Sequence, residues 1–417
     1  MKKRNIFALT VLALSLFSAT AFADKVKLTV WAGDIPDDDA AHAYAKALVN
    51  GFQAKYPDIQ LDYVGLGNDG FKDKLKVTMA SGSGLPDIFQ TWGGSVMGGY
   101  ADAGQLLDLT KELKAIPGSA AAAQAVTWKG KIYGVAPFFA VAGLFVNEGI
   151  FQANNLKVPT TIEGFEAVAE ALKAKGIQPF ACGAKDKWPA LALYMYLTNR
   201  FGGNASAMAA ARKLAYDSPP FVKAAQLYQS WVKKGYFGAT PLGEAYGDAQ
   251  QLMATGKAGM MLTGSWMCGN FADPNFTDQK IGFYGIPALK SGGVGKATDA
   301  MGMTDIGYAA SKTAADKKDA VVKFLTYAMS PEAVAADPGR ITSVPGVKSK
   351  NPITAQATAV FGSAKTITFW WDQDLPPAVT SPLNDAIQTF FLPDTDVKKS
   401  LSDFEALCVE NMGPVKK

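Results

Sequence analysis

Between Lys25 and Gln90 the chain keeps switching its hydrophobic period, and that alternation restricts the fold more than any other feature. Val26, Leu28 and Val30 face one way with a period of two, which predicts a strand over Lys25–Trp31. Tyr44, Leu48, Phe52 and Tyr56 recur at helical spacing; Asp37 to Asp39 would cap that helix at its positive end, and Pro57 stops it. Ile59, Leu61 and Tyr63 alternate as a second strand, Phe71 to Ala80 reads as a helix, and Pro86 to Gln90 as a third strand. Strands and helices alternating through short links predict an α/β fold with a mainly parallel sheet.

Further along, Trp128 to Gly134 reads as a hairpin turn, and Thr160-x-x-Glu163 as a capping box for a helix closed by Gly176. Phe221 to Gly235 and Asp248 to Gly256 are predicted helices ending on glycine, Leu289 to Gly293 a crossover loop, and Ser330-Pro331-Glu332 a helix start. At the front, Lys2, Lys3 and Arg4 precede an apolar run from Ile6 to Phe17 and an Ala21-Phe22-Ala23 cleavage site. This predicts an export signal over residues 1–23 with no cysteine for a lipid anchor, and hence a periplasmic protein. The run is too short to remain as a membrane span.

Of 417 residues, cleavage leaves 394, enough for two domains, with 38 basic against 37 acidic side chains. So even a balance gives no field for nucleic acid or anionic lipid and suits a near-neutral partner. Cys182, Cys268 and Cys408 allow one disulfide or three core thiols. With His42 as the single histidine, expected on a solvent face, histidine-dependent triads are excluded. No cysteine and histidine cluster has metal-ligand spacing. Gly65-Leu66-Gly67-Asn68-Asp69-Gly70 matches a dinucleotide fingerprint, yet Asp87 begins a strand instead of ending one, and Asp69 would oppose a pyrophosphate. No cofactor is therefore expected.

The remaining signal lies at strand ends, where open α/β sheets bind ligands. These carry Trp31, then Asn68 and Asp69, then Gln90 and Trp92; Gly256 to Trp266 adds a short strand and a Gly264-Ser265 turn presenting Trp266. Flat rings and planar polar groups match a sugar, whose apolar face stacks and whose hydroxyls each cost about 1–3 kcal/mol if buried unpaired. Two rivals stand beside this reading. One is an exported glycosidase using paired carboxylates; the other is a binder of a polyamine, peptide or anion.

Several segments resemble the extracellular solute-binding proteins of bacterial ABC importers, in the maltose-binding-like carbohydrate group. They are Lys74-Leu75 with Ala80-Ser81-Gly82 and Pro86-Asp87-Ile88, Gly130 to Val135, Leu144 to Asn147 ahead of Pro159-Thr160-Thr161, Gly256 to Trp266, and Phe324 to Glu332. The resemblance implies two α/β lobes around a multi-crossing hinge: residues 24–137 with 288–338, and 138–287 with 339–417. It also implies a monomer that captures a mono- or short oligosaccharide by lobe closure, hands it to permease subunits and performs no chemistry. Ligand contacts are then expected from Gln90, Trp92, Asn147, Gly264, Ser265, Trp266 and Asp299. Trp370-Trp371-Asp372-Gln373 is similar to a Tyr-Tyr-Asp-Gln stretch of sugar-binding members, which nominates Trp371 and Asp372, with either one ring turned inward to ligand or both packed. Arg340 is expected to donate to two hydroxyls or to brace the hinge. Trp188 either lines the second lobe or packs in its core.

Overall fold

The computed structural model describes residues 25–34, 43–116, 118 and 120–412; the export signal, the Asp37–Asp39 cap and His42 lie outside the described residues. Two sheets organise the chain into two lobes. The first has the order β2-β1-β3-β12-β6, formed by β1 (Val26–Ala32), β2 (Ile59–Gly65), β3 (Ile88–Thr91), β6 (Gly134–Val135) and β12 (Gly307–Ala310). β1 runs parallel to β2 and β3, as βαβ links require, with α1 (Ala43–Lys55) and α2 (Asn68–Ser81) as the crossover helices. Tyr44, Leu48 and Phe52 are the buried stripe of α1. β4 (Thr127–Trp128) and β5 (Lys131–Ile132) form the expected hairpin, whose turn residues Lys129 and Gly130 both take positive φ.

The second sheet is built on β7 (Phe138–Asn147), ten residues, apolar except for the terminal Asn147 and buried at every position. Its order is β14-β11-β7-β9-β8, with β10 and β13 also paired to β7. The strands are β8 (Gln178–Ala181), β9 (Ala258–Gly264), β10 (Ile281–Tyr284), β11 (Asp299–Thr304), β13 (Ile341–Thr342) and β14 (Thr366–Thr368). Four of them meet β7 antiparallel, so this sheet is mixed where the sequence suggested a mainly parallel one. A strand buried on both faces looks alike in either setting, because continuous apolar runs carry no direction.

Three crossings join the lobes: Ala136–Pro137 between β6 and β7, Asp305–Ile306 between β11 and β12, and the stretch from helix Pro331–Ala335 to β13. β11 therefore belongs to the second sheet, and the segment from residue 288 expected in the first lobe enters it only at β12. The Leu289–Gly293 loop stays within the second lobe, pressed so close to Arg200 that a methyl on Gly293 would meet its carbonyl oxygen at 2.4 Å. Ser343 ties two crossings together, its N–H donating to Pro137 (2.8 Å) and its hydroxyl to Ala136 (2.6 Å).

Smaller expectations resolve similarly. Thr161, one residue later than anticipated, caps helix Ile162–Lys173 by accepting from Gly164, while Glu163 instead accepts from the Lys290 N–H. Ser330 caps its helix as expected. All three cysteines are free and buried, and burial pushes the Cys182 thiol up to about 12. No helix among the described residues is long and apolar enough to cross a membrane, and none of their acidic, cysteine or histidine side chains group as a metal site.

Candidate functional site

A cavity of about 440 Å³ opens between the lobes, with walls from both. The first-lobe wall grows from strand ends. Beyond β1 lies Asp34; beyond β2, the start of α2 supplies Asn68, Asp69 and Lys72; Gln90 is the penultimate residue of β3, which leads to Trp92. Gln90 is buried because its side-chain oxygen accepts from the Gly33 N–H at 2.8 Å, which turns the rest of its amide to the cavity. Trp92 leans on Phe71, ring centroids 5.9 Å apart, and Lys72 Nζ stands 4.9 Å from its centroid.

The second-lobe wall is aromatic. Trp188, Tyr246, Trp266 and Trp370 form one continuous surface, with centroids 4.6 Å apart for Trp188–Tyr246, 5.8 Å for Trp188–Trp266 and 5.4 Å for Trp266–Trp370. Polar handles fix the rings: the Trp266 indole N–H donates to the Tyr246 hydroxyl at 2.8 Å, and that hydroxyl also bonds Thr263 at 2.8 Å. Burial pushes the Tyr246 phenol up to about 12, so it stays a neutral donor and acceptor. Asp186 accepts from the Tyr246 N–H at 2.8 Å and also lines the cavity.

Behind these walls lies an ionic knot. Arg340 donates to Asp305 at 2.7 Å, Asp337 at 2.9 Å and Asp34 at 3.4 Å, so one guanidinium ties the first lobe to two of the crossings. Burial raises the Asp305 carboxyl to about 6 even though Arg340 pulls it down, and burial raises Asp337 as well. Burial works against the Arg340 charge too, but Asp305, Asp34 and Asp337 outweigh it and hold the guanidinium well above its ordinary range. Of the two roles open to Arg340, bracing is the one its partners describe.

Asn68, Asp69, Gln90, Trp92, Trp266, Arg340 and Asp372 thus share the cavity. Six expected residues stand elsewhere. Trp31 packs at the side of the first sheet under Lys74, 4.0 Å from its ring, because it points to the opposite face from Ala32. Asn147 caps helix Glu148–Ala153 at the far end of β7, accepting from Ile150 and donating to Gln279. Asp299 closes the loop before β11 by accepting from the Lys296 N–H at 2.7 Å and the Thr366 hydroxyl at 2.8 Å. It is the opposite end of that strand, Thr304 and Asp305, that faces the cavity. Gly264 and Ser265 serve Trp266: a methyl on Gly264 would sit 2.0 Å from the indole, and the buried Ser265 hydroxyl accepts from Val141. Trp371 is fully buried, stacked on Phe221 at 5.5 Å, and Trp370 takes the cavity position.

Outside the cavity the lobes touch again. The Ser95 hydroxyl donates to Asp374 at 3.2 Å, and a methyl on Gly94, which has φ +63°, would lie 2.8 Å from the Gln373 carbonyl. Only glycine accepts this backbone and this approach together.

The profile of the bacterial extracellular solute-binding proteins matches residues 32–335. Among individual relatives, an uncharacterized ABC transporter extracellular-binding protein of Pyrococcus horikoshii is 28% identical over 54% of this chain and 53% of its own length. A multiple sugar-binding protein of Streptococcus mutans is 28% identical over 52% of this chain and 53% of its own. The chain thus spans about half the length of these relatives. A solved chitin oligosaccharide binding protein superposes with a TM-score of 0.83 at 26% identity, covering 93% of this chain and 99% of that one.

Proposed function

Because the chain belongs to the bacterial extracellular solute-binding proteins, we propose that it is the substrate-capturing subunit of an ABC sugar importer, closing its lobes on a mono- or short oligosaccharide. The observation that carries this reading is the pairing of a continuous four-ring aromatic wall on one lobe with amides and carboxylates on the other, around one cavity. Indole faces cover the C–H faces of a pyranose, while Gln90, Asn68 and Asp69 match its hydroxyl rim. The sugar named for the Streptococcus mutans relative and the oligosaccharide named for the structural neighbour support the same class.

Capture follows from the division of the site. Sugar stacks on the aromatic wall while the lobes are apart; rotation at the three crossings then brings Gln90, Asn68 and Trp92 onto its other face. Ligand favours closure only through contacts that the closed form adds. Export to the periplasm, a monomeric state and delivery to membrane permease subunits complete the reading, and no residue is assigned a catalytic role.

Tryptophan fluorescence and calorimetry over a panel of mono- and oligosaccharides test it. A saturable fluorescence change with heat of binding is expected for at least one sugar, and flat responses throughout the panel overturn the proposal. Recovery of the bound sugar intact is expected by mass spectrometry; release of reducing ends would mark a hydrolase instead.

A further inference from the structure

We propose that the cavity is built for a saccharide bearing protonated amines, an amino-sugar oligomer in preference to a neutral one. The inference rests on the sugar-binding reading and narrows its substrate class. Among the described residues, five carboxylates line the cavity, those of Asp34, Asp69, Asp186, Asp305 and Asp372, against the two cations Lys72 and Arg340. Both cations are already engaged inside the protein. Arg340 is shared by Asp305, Asp337 and Asp34, and Lys72 lies over the Trp92 ring.

Asp69, Asp186 and Asp372 form no ion pair among the described residues. Each accepts from a neutral donor instead: the Asn68 amide at 2.9 Å, the Tyr246 N–H at 2.8 Å and the Gln373 amide at 2.9 Å. These acids come from both lobes, so closure gathers them around whatever the cavity holds. A second observation marks the same wall as built for a polar ligand. Thr304 lines the cavity at 4% exposure, and its buried hydroxyl has no partner among the described residues.

The described lining is therefore rich in carboxylates that no cation neutralises. An ammonium group supplies three donors and no acceptor, and an ionised carboxylate is acceptor-only. The four rings add negative faces that attract a cation. A hydroxyl satisfies a carboxylate as well, but it leaves the charge imbalance standing, and a sugar acid worsens it.

Calorimetry on the mature chain decides the matter, comparing glucosamine oligomers with N-acetylglucosamine and glucose oligomers of the same length and linkage, and with spermidine. Glucosamine oligomers are expected to bind at least about tenfold more tightly than either saccharide control, since one opposed charge at close range shifts such equilibria by that order. The advantage should shrink as salt rises from about 0.05 to about 0.5 M. Asp69→Asn and Asp372→Asn, confirmed as folded by unchanged thermal midpoints, should each weaken the glucosamine oligomer about tenfold more than they weaken the neutral one. Equal or tighter binding of the acetylated or neutral oligomer overturns this proposal and leaves the sugar reading intact. Tighter binding of spermidine than of any saccharide overturns the saccharide half, and no binding of any saccharide overturns both.

Discussion

The two walls of the cavity are made in different ways. The first-lobe wall is local: Asp34, Asn68, Asp69, Gln90 and Trp92 all sit at or just beyond the ends of strands joined by βαβ links, so their convergence follows from strand direction. The second-lobe wall is assembled from Asp186 and Trp188, Tyr246, Trp266 and Trp370, brought together by long connections around a mixed sheet. A wall made by topology alone is visible in the sequence. A wall made by loops is visible only where a turn advertises itself, as Gly264-Ser265 does for Trp266.

This contrast can be broken experimentally, beginning at the junction the walls share. Arg340→Met removes the guanidinium from the buried carboxylates of Asp305 and Asp337 and the half-buried one of Asp34, and a loss of about 3–5 kcal/mol is expected in urea unfolding. A near-neutral result would mean that the knot does not hold the crossings together.

The next largest effect separates the walls. Trp266→Ala opens the centre of the aromatic surface and is expected to weaken sugar binding by about 2–3 kcal/mol. Trp92→Ala, on a single ring backed by Phe71 and Lys72, should cost about 1 kcal/mol. Calorimetry on the pair would reverse the assignment of the two walls if Trp92 proved the more costly.

The knot also predicts a pH dependence. Burial lifts Asp305 to about 6 in the folded protein, whereas an unfolded aspartate titrates near about 3.9. Between these values the native state holds a proton that the unfolded chain has released, so stability falls as pH rises from about 4 to about 6. The contribution is about 2 kcal/mol, and unfolding of Asp305→Asn followed over that range should lack this part of the slope. A wild-type protein that gains stability relative to the variant as pH rises would contradict the assignment.

The smallest effect is the sharpest control. Asn147→Ala deletes a helix cap, for about 1 kcal/mol of stability, and should leave sugar affinity unchanged. Reduced affinity at unchanged stability would return Asn147 to the binding surface.

What was legible in the sequence follows the same physical division. Period and punctuation disclosed β1, α1, β2 and α2, whose hydrophobic residues recur at strand or helix spacing, and Pro86 marked the start of the fully buried β3. Strand direction in the second sheet was not legible, since β7 is apolar on both faces and pairs equally well either way. Trp370 and Trp371 are identical neighbours; only the pocket of Tyr194, Tyr216 and Phe221 around Trp371 decides which one is buried. Asp299 and Asp305 lie at opposite ends of one strand, and choosing between them required knowing which end points to the other lobe. Asp186 and Tyr246 gave no local sign at all, because their meeting depends on a hydrogen bond between segments 60 residues apart.

The placement of Arg340 has a mechanical corollary. It joins Asp34 of the first lobe to Asp305 and Asp337 in the crossings, whereas Gly94 and Gln373 bring the two lobes together at a separate contact. If the lobes close on a ligand as proposed, loosening the 3.4 Å arm to Asp34 should also loosen that second contact and shorten ligand residence.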